Sequence, residues 1–215
     1  KTARFSLKFD FRTKIMGILN ITPDSFSGDG LYAAGVEAAC HYGQSLVTHG
    51  ADCIDVGGES TRPGAARVSV KEELRRVIPV IKALARAVKV PLSIDTYKPE
   101  VAEAALDNGA SIINDICGFR SRKMIAVASR YKAGVVIMHM QGTPRTMQRA
   151  PRYTSLMSQI IDFLDASINR CLHGGIRKES IIVDPGICFG KALEHNLGII
   201  KHLREMKVLG RPILV

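Results

Sequence analysis

Six apolar runs, each ending in a polar or glycine-rich segment and followed by a helical pattern, constrain the fold of this chain more than any other feature. In a parallel sheet, crossover helices cover the strands, so buried strands read as continuous apolar runs, and the loops at their carboxyl ends carry reactive groups. We therefore expect an α/β fold in which the polar residues that end the runs converge. The runs and the residues that follow them are Lys14–Leu19 and Asn20, Cys53–Val56 and Gly57-Gly58-Glu59, Pro91–Ile94 and Asp95, Ser111–Ile113 and Asn114-Asp115, Val135–Met138 and His139, and Ile181–Val183 and Asp184.

Helical periodicity follows each run, with apolar residues at spacings of three and four. Six strand–helix units and a seventh strand that begins at Pro212–Val215 predict a (β/α)8 TIM barrel, a fold that typically needs about 250 residues. Because the chain has 215 residues and ends within the seventh strand, we expect one domain over residues 1–215, with the remaining C-terminal strand–helix units outside this sequence. The predicted helices are Val36–His49, Val70–Val88, Val101–Leu106, Met124–Tyr131, Leu156–Leu172 and Leu197–Met206.

The composition agrees with an α/β enzyme and excludes some other classes of protein. Of the 215 residues, 46% are hydrophobic and 23% are charged, which supplies enough apolar material for one sizeable core. No stretch reaches the ~18 to 20 continuous apolar residues of a membrane span, and the first residues lack the apolar centre of a secretory signal. We therefore expect a cytoplasmic protein without a membrane partner.

The cysteines indicate the redox compartment, and the net charge indicates the class of partner. The five cysteines, Cys40, Cys53, Cys117, Cys171 and Cys188, are odd in number and lack CxxC spacing, so we expect buried, inert thiols in a reducing compartment. The formal net charge of +10 is compatible with an anionic partner. Because the basic residues are spread over helices and loops, without a nucleic-acid-binding motif or an aromatic platform, we expect no nucleic-acid partner and favour a small anionic substrate.

Two polar loops follow the first two runs. Asn20–Gly30 is rich in residues that favour turns and caps, but it is long for a βα loop, for which about 2 to 6 residues are usual, and long ordered loops often act as lids. Gly57–Gly64 combines paired glycines, which allow close backbone approach, with Arg62, whose guanidinium suits a phosphate or carboxylate. It lacks the Lys-Ser/Thr pair of a P-loop, so the sequence indicates anion binding without a nucleotide motif.

Three strand ends carry acceptor side chains, namely Asp95, Asn114-Asp115 and Asp184. Each of them alone is explained equally well as a helix N-cap. Together, at equivalent ends of parallel strands, they predict an acceptor-rich cup for a flat heterocycle with a row of N–H donors. His139 is either a packed histidine or a catalytic one. Because the sequence has no HExxH, CxxC or histidine cluster that would indicate zinc, a metal here would be a hard cation on oxygen ligands.

The motifs at these positions resemble the dihydropteroate synthase family over nearly the whole chain. The resemblance implies a (β/α)8 barrel and a transferase that condenses 6-hydroxymethyl-7,8-dihydropterin diphosphate with p-aminobenzoate, giving 7,8-dihydropteroate and pyrophosphate in folate biosynthesis. It also implies a homodimer and an enzyme class that sulfonamides target. The matching stretches, in order, are MGILNITPDSFSGDG, DVGGESTRPGA, SIDT, INDICGF, VIMHMQGTPRTMQ and DPGICFGK followed by EHN.

The resemblance also implies roles for individual residues. Asn20, Asp95 and Asp184 would be catalytic, and Asn20 would coordinate Mg2+ together with the leaving diphosphate. The residues that it implies for pterin binding are Asp95, Asn114, Met138, Asp184 and Phe189, and those for binding of the diphosphate and p-aminobenzoate are Phe26, Ser27, Thr61, Arg62 and Pro63.

The chain departs from the family's pattern at its end, because the Ser-Arg-Lys loop of the seventh strand and the Arg-x-His motif of the eighth do not occur in these residues. Two alternatives therefore stay open. One is a pterin-binding barrel of the methyltetrahydrofolate:corrinoid methyltransferase type, which does not need the TPDSF and ESTRPG loops. The other is a non-catalytic barrel that serves as a binding or assembly module.

Overall fold

The computed structural model describes residues 2, 5–9, 12–22, 35–60 and 66–215. The chain forms two compact units. The N-terminal unit contains residues 1–60 and 66–114, and the C-terminal unit contains residues 61–65 and 115–215. Within the described ranges, no helix is long and apolar enough to cross a membrane. The single domain over residues 1–215 stays a prediction.

The N-terminal unit alternates strands and helices in the order β1 (Met16–Asn20), α1 (Gly35–Thr48), β2 (Cys53–Gly57), α2 (Val70–Ala87), β3 (Leu92–Asp95), α3 (Pro99–Asp107) and β4 (Ile112–Asp115). β1 pairs with β2, β2 with β3 and β3 with β4, in each case in parallel. Parallel neighbours in a sheet need a crossover connection, and a helix supplies it here each time.

One row of residues crosses all four strands of this unit near their carboxyl ends. Asn20 lies opposite Gly57 in the register of the sheet. Gly57 lies opposite Asp95, and Asp95 lies opposite Asn114. Because side chains alternate along a strand and paired residues of neighbouring strands project to the same face, the polar side chains of this row share one face of the sheet.

The helices of the N-terminal unit pack through apolar stripes, as α2 illustrates. It begins at Ser69, whose hydroxyl accepts a hydrogen bond of 3.2 Å from the backbone N–H of Glu72 and so caps the first turn. Val77 and Leu84, seven residues apart on one face, are fully buried. A methyl group on Gly43 of α1 would lie 2.6 Å from Leu84, so the absence of a side chain there lets the two helices approach closely.

The C-terminal unit continues the alternation with α4 (Arg122–Arg130), β5 (Gly134–Met138), α5 (Leu156–His173), a 3-10 helix (Lys178–Ser180), β6 (Ile181–Asp184), α6 (Leu193–His202) and a second 3-10 helix (Leu203–Leu209). β5 and β6 pair in parallel, with Met138 opposite Asp184. Ile213 forms a parallel bridge with Val183, so the predicted seventh strand begins beside β6.

The six predicted strand–helix units all occur, and most of their ends differ by a residue or two, whereas the predicted seventh strand is represented by the bridge at Ile213 alone. The last helix differs most, because α6 begins and ends earlier than the predicted Leu197–Met206. At its start, Nδ1 of His195 accepts a hydrogen bond of 3.1 Å from the backbone N–H of Ala192, which satisfies a donor at the helix end. Beyond α6 the chain tightens into the 3-10 helix, which stops at Gly210 with a φ of 59°.

The cysteines are less uniform than predicted. All five thiols are free. Cys53 and Cys171 are buried, and burial raises the pKa of each thiol to about 12, which makes both unreactive. Cys188 is exposed, so the prediction of a buried thiol is wrong at this position. It lies in the glycine-rich loop after β6, and its φ of 69° places its backbone in the left-handed region.

Candidate functional site

The row at the carboxyl ends of β1 to β4 places oxygen atoms around a glycine. A methyl group on Gly57 would lie 3.4 Å from Oδ1 of Asn20 and 3.5 Å from Oδ2 of Asp95. The carboxamide and the carboxylate therefore border the same small space, which the missing side chain of Gly57 leaves open. Such a space admits a ligand whose polar groups need oxygen partners.

Asn114 is the last residue of the row, and its side chain is held by Asp55 of β2. Its Nδ2 donates a hydrogen bond of 3.0 Å to Oδ2 of Asp55. Asp55 lies two positions before Gly57 in β2, so its side chain projects to the same face as the row. Only 6% of its surface is exposed. Asp55 is not among the predicted site residues, although a carboxylate inside an otherwise apolar strand is an unusual and therefore informative feature.

Burial controls the electrostatics of Asp55. Desolvation raises the pKa of this carboxyl, while Ser93 and Asn114 act in the opposite direction. The hydroxyl of Ser93 makes no hydrogen bond of normal length and angle within the described residues, and the same holds for Oδ1 of Asp55 and Oδ1 of Asn114. The N-terminal unit therefore contains buried acceptor oxygens that are not satisfied by the part of the chain that is described.

A network of charged groups fixes the start of the loop after β2. Lys98 forms ion pairs with Glu59 of this loop and with Glu73 of α2. The hydroxyl of Tyr97 donates a hydrogen bond of 3.0 Å to Glu59, and that of Thr96 donates one of 2.6 Å to Glu73. Glu73 is only 1% exposed, so its charge depends on these partners. The sequence pattern does not predict this network, because its members come from three separate segments.

In the C-terminal unit, Asp184 ends β6 with a half-buried side chain. Its Oδ1 accepts a hydrogen bond of 2.6 Å from the backbone N–H of Gly186, and its backbone oxygen accepts one of 2.9 Å from the N–H of His139. Desolvation raises the pKa of Asp184 to about 6, against the opposing effects of the Gly186 N–H and the positive charge of Lys191. A carboxyl with this pKa changes its charge close to physiological pH.

Lys191 joins the loops that follow β5 and β6. Its Nζ lies 3.0 Å from Nδ1 of His139, 2.9 Å from the backbone oxygen of Phe189 and 3.4 Å from that of His139. Only 3% of the residue is exposed, and desolvation lowers the pKa of its amino group to about 7. Lys191 closes the glycine-rich loop after β6, and the sequence analysis did not single it out.

His139 corresponds to the packed alternative of the two that the sequence left open. It is 5% exposed, and its ring meets that of Phe163 edge-on at a centroid distance of 5.0 Å. Desolvation, followed by the charge of Lys191, lowers the pKa of its imidazole to about 3, so the ring stays neutral and Nδ1 serves as an acceptor. It therefore supports Lys191 and carries no positive charge at neutral pH.

The structure describes six of the predicted site residues, which lie in two groups. Asn20, Asp95 and Asn114 lie in one row of the N-terminal unit. Met138, Asp184 and Phe189 lie in the C-terminal unit, at the ends of its two strands and in the loop after β6. The remaining five, which lie outside the described residues, are Phe26, Ser27, Thr61, Arg62 and Pro63.

Comparisons with known proteins give one consistent result. The family model described as pterin binding enzyme matches residues 16–215. The dihydropteroate synthase of Synechocystis sp. is 46% identical over 205 residues, which cover 95% of this chain and 71% of that protein. The dihydropteroate synthase of Escherichia coli K12 is 46% identical over 201 residues, which cover 94% of this chain and 71% of that protein.

Solved structures agree with the sequence relatives. The dihydropteroate synthase of Yersinia pestis, in a sulfonamide drug complex, matches with a TM-score of 0.95 and 43% identity, over 100% of this chain and 78% of that chain. The enzyme of Thermus thermophilus, in complex with 4-aminobenzoate, matches with a TM-score of 0.82 and 41% identity, over 95% of this chain and 72% of that chain. These matches confirm the predicted α/β fold of the (β/α)8-barrel class.

Proposed function

This chain belongs to the family of pterin-binding enzymes, and we propose that it acts as a dihydropteroate synthase, a transferase of folate biosynthesis. The amine nitrogen of p-aminobenzoate bonds to the methylene carbon of 6-hydroxymethyl-7,8-dihydropterin diphosphate, the bond from that carbon to the diphosphate oxygen breaks, and the amine loses a proton. The products are 7,8-dihydropteroate and pyrophosphate. The row formed by Asn20, Gly57, Asp95 and Asn114, in a chain of this family, is the observation that carries the proposal.

Pterin recognition is assigned to acceptor side chains by the family resemblance. Asp95, Asn114 and Asp184 are the proposed acceptors for the N–H groups of the ring. A carboxylate that accepts from N–H donors in a buried setting forms charge-assisted bonds, which are stronger than neutral ones. Met138 and Phe189 provide apolar contacts for the faces of the ring. The ring is thereby fixed in one orientation, which sets the position of its methylene carbon.

The oxygen atoms beside Gly57 fit the chemistry of Mg2+. This ion prefers oxygen ligands, keeps several waters and takes only one or two protein groups in addition to substrate phosphates. Asn20, whose Oδ1 borders the open space at Gly57, is the residue that would hold it. The ion's contribution when bound is to neutralise charge on the departing diphosphate. Asp95, on the other side of the same space, favours positive charge on the pterin methylene by its own negative charge.

The two loops after β1 and β2 are assigned to the diphosphate and to p-aminobenzoate. Phe26 and Ser27 of the first loop and Thr61, Arg62 and Pro63 of the second are the proposed contacts, and all five lie outside the described residues. The family resemblance of TPDSF and ESTRPG supports this assignment. Loops that close over the reacting groups exclude water, which would otherwise capture the electrophilic carbon.

The location and assembly state are part of the proposal. The family resemblance supports a homodimer that acts on small-molecule substrates. The cysteine pattern and the scattered basic residues of the sequence support a cytoplasmic enzyme without a nucleic-acid partner. Sulfonamides, which carry an aromatic amine like that of p-aminobenzoate, are expected to compete for its site.

The proposed reaction is tested by pyrophosphate release. The protein is mixed with Mg2+ and the pterin diphosphate, and pyrophosphate is measured before and after addition of p-aminobenzoate. We expect release that depends on both substrates and a stoichiometric amount of 7,8-dihydropteroate by mass spectrometry. Methyl transfer from methyltetrahydrofolate to a cobalamin protein, without pyrophosphate release, would instead favour the methyltransferase alternative. Binding of pterin without either reaction would favour the non-catalytic barrel.

A further inference from the structure

The amide of Asn114 has two ends of nearly the same shape and opposite hydrogen-bonding character. Its oxygen accepts hydrogen bonds, and its nitrogen donates two. Which end a ligand meets therefore depends on the protein group that holds the other end. A site that needs an acceptor at this position must prevent the amide from turning over.

Asp55 is the group that holds the amide. Its Oδ2 accepts a hydrogen bond of 3.0 Å from Nδ2 of Asn114. A carboxyl group keeps an acceptor oxygen whether it is ionised or protonated, so this bond forms in either state. Because Asp55 lies in the middle of a buried strand with 6% exposure, its position is fixed by the sheet.

The other end of the amide has no partner within the described residues. Oδ1 of Asn114 is buried and accepts no hydrogen bond there. A buried acceptor that is left unsatisfied costs free energy, so a ligand that donates an N–H to this oxygen gains more than it would from an exposed one. The same oxygen would repel a ligand that presents another acceptor at this point.

We propose that Asp55 is a positioning residue that fixes the Asn114 amide with its oxygen toward the ligand, and that this selects heterocycles presenting an N–H donor at that position. The inference rests on the proposed pterin site and adds a residue to it. Asp55 touches neither substrate nor reacting atoms in this role, because it acts through Asn114.

The test uses variants that change the hydrogen-bonding character of the pair while keeping its shape. In Asp55→Asn, the amide at 55 can accept or donate, so Asn114 loses its single orientation. In Asn114→Asp, two buried carboxyls face each other. The double variant Asp55→Asn with Asn114→Asp restores one carboxyl and one amide, and the carboxylate at 114 presents an acceptor in every orientation. Ser111→Ala is the matched control, because Ser111 is buried to a similar extent as Asp55 and its hydroxyl donates to the backbone oxygen of Leu92.

The readout is the dissociation constant of a pterin ligand, measured by calorimetric titration beside the melting temperature. We expect each single variant to weaken pterin binding roughly tenfold, which is the loss of about one buried hydrogen bond. The double variant should bind within a few-fold of the wild type, and Ser111→Ala should be unchanged. The KM for p-aminobenzoate should stay the same in all variants that turn over, whereas a purely structural defect would change both KM values.

Two results would overturn the inference. One is wild-type pterin affinity in Asp55→Asn, and the other is a double variant as weak as Asn114→Asp alone. If a single variant fails to fold, the double variant decides the question, since its hydrogen-bonding pair is complementary. A wild-type protein that neither binds pterin nor releases pyrophosphate would instead refute the proposed function, so the two failures are distinguishable.

Discussion

At the scale of single residues, the raised pKa of Asp184 predicts that pterin binding depends on pH. Its burial raises the pKa of the carboxyl to about 6. The ionised form accepts hydrogen bonds from a pterin, whereas the protonated form has lost one acceptor site and gained a donor. Since the raised pKa places the change of charge near pH 6, pterin binding should require a pH above this value.

We expect pterin affinity to fall as the pH drops below about 6, approaching about tenfold per pH unit because one proton must be displaced. Asp184→Asn should weaken binding about tenfold to a hundredfold, the cost of a hydrogen bond to a charged group, and should remove the pH dependence. Titration calorimetry of both proteins between pH 5 and 8 measures this. A wild-type profile preserved in Asp184→Asn would assign the titration to another group, such as Asp115, whose pKa burial also raises to about 6.

Asn20 should affect a different kinetic parameter. If it holds Mg2+ with the leaving diphosphate, Asn20→Ala should mainly lower kcat, while Asp184→Asn mainly weakens pterin binding. Steady-state kinetics with both substrates, over a range of Mg2+ concentrations, measures the division of roles. Equal changes of kcat and pterin affinity in both variants would contradict it.

At the scale of elements, the two adjacent glycines at the end of β2 serve different purposes. A methyl group on Gly57 would make ordinary contacts of 3.4 and 3.5 Å with Asn20 and Asp95. One on Gly58 would lie 2.6 Å from a methyl group of Val77 in α2, closer than two carbon atoms can pack. The first glycine keeps space for a ligand, and the second allows the strand end and the helix to approach.

The variant Gly57→Ala should therefore affect ligand binding, and Gly58→Ala should affect stability. Gly57→Ala should leave the melting temperature nearly unchanged and block binding at the row. Gly58→Ala should lower the free energy of unfolding by about 1 to 3 kcal/mol, the usual cost of overpacking. Thermal or urea unfolding and pterin titration of both variants measure this. A stable Gly57→Ala protein with wild-type pterin affinity would show that the space at Gly57 is not used.

At the scale of the whole molecule, the buried Lys191 should give global stability an unusual pH dependence. Its pKa falls from the ordinary 10.5 in the unfolded chain to about 7 in the folded protein. Between these values the unfolded chain binds a proton that the folded protein releases. Because stability rises with pH wherever the unfolded state binds more protons, the Lys191 contribution increases from about pH 7 upward.

We therefore expect the free energy of unfolding to rise between pH 7 and pH 9, and Lys191→Met to lack this rise. Urea unfolding at several pH values within this window measures the slope. From about pH 8 the rise should level off, because Cys53 and Cys171 ionise around pH 9 in the unfolded chain and their raised pKa values in the folded protein act in the opposite direction. A flat wild-type profile would mean that Lys191 stays charged in the folded protein.

The sequence predicts much of this molecule because its strands are local features. Each apolar run and its polar end can be recognised within about ten residues, which is the range over which periodicity and turn residues act. Asp55 and Lys191 were missed for the opposite reason. Their importance comes from Asn114 and His139, partners that lie more than fifty positions away, so only the folded register reveals them. The start of α6 was predicted too late, because a hydrogen bond from the backbone N–H of Ala192 to the side chain of His195 begins the helix earlier.

The ion pairs among Glu59, Glu73 and Lys98 restrict how this protein can diverge. Replacing Lys98 alone leaves both carboxylates without their positively charged partner, and breaking a buried ion pair in this way typically costs about 3 to 5 kcal/mol. A lineage that loses the lysine must therefore also lose the acid of α2, by way of an intermediate close to unfolding. Among relatives, positions 59, 73 and 98 should be kept together or exchanged together, as a coupled set that an alignment can detect.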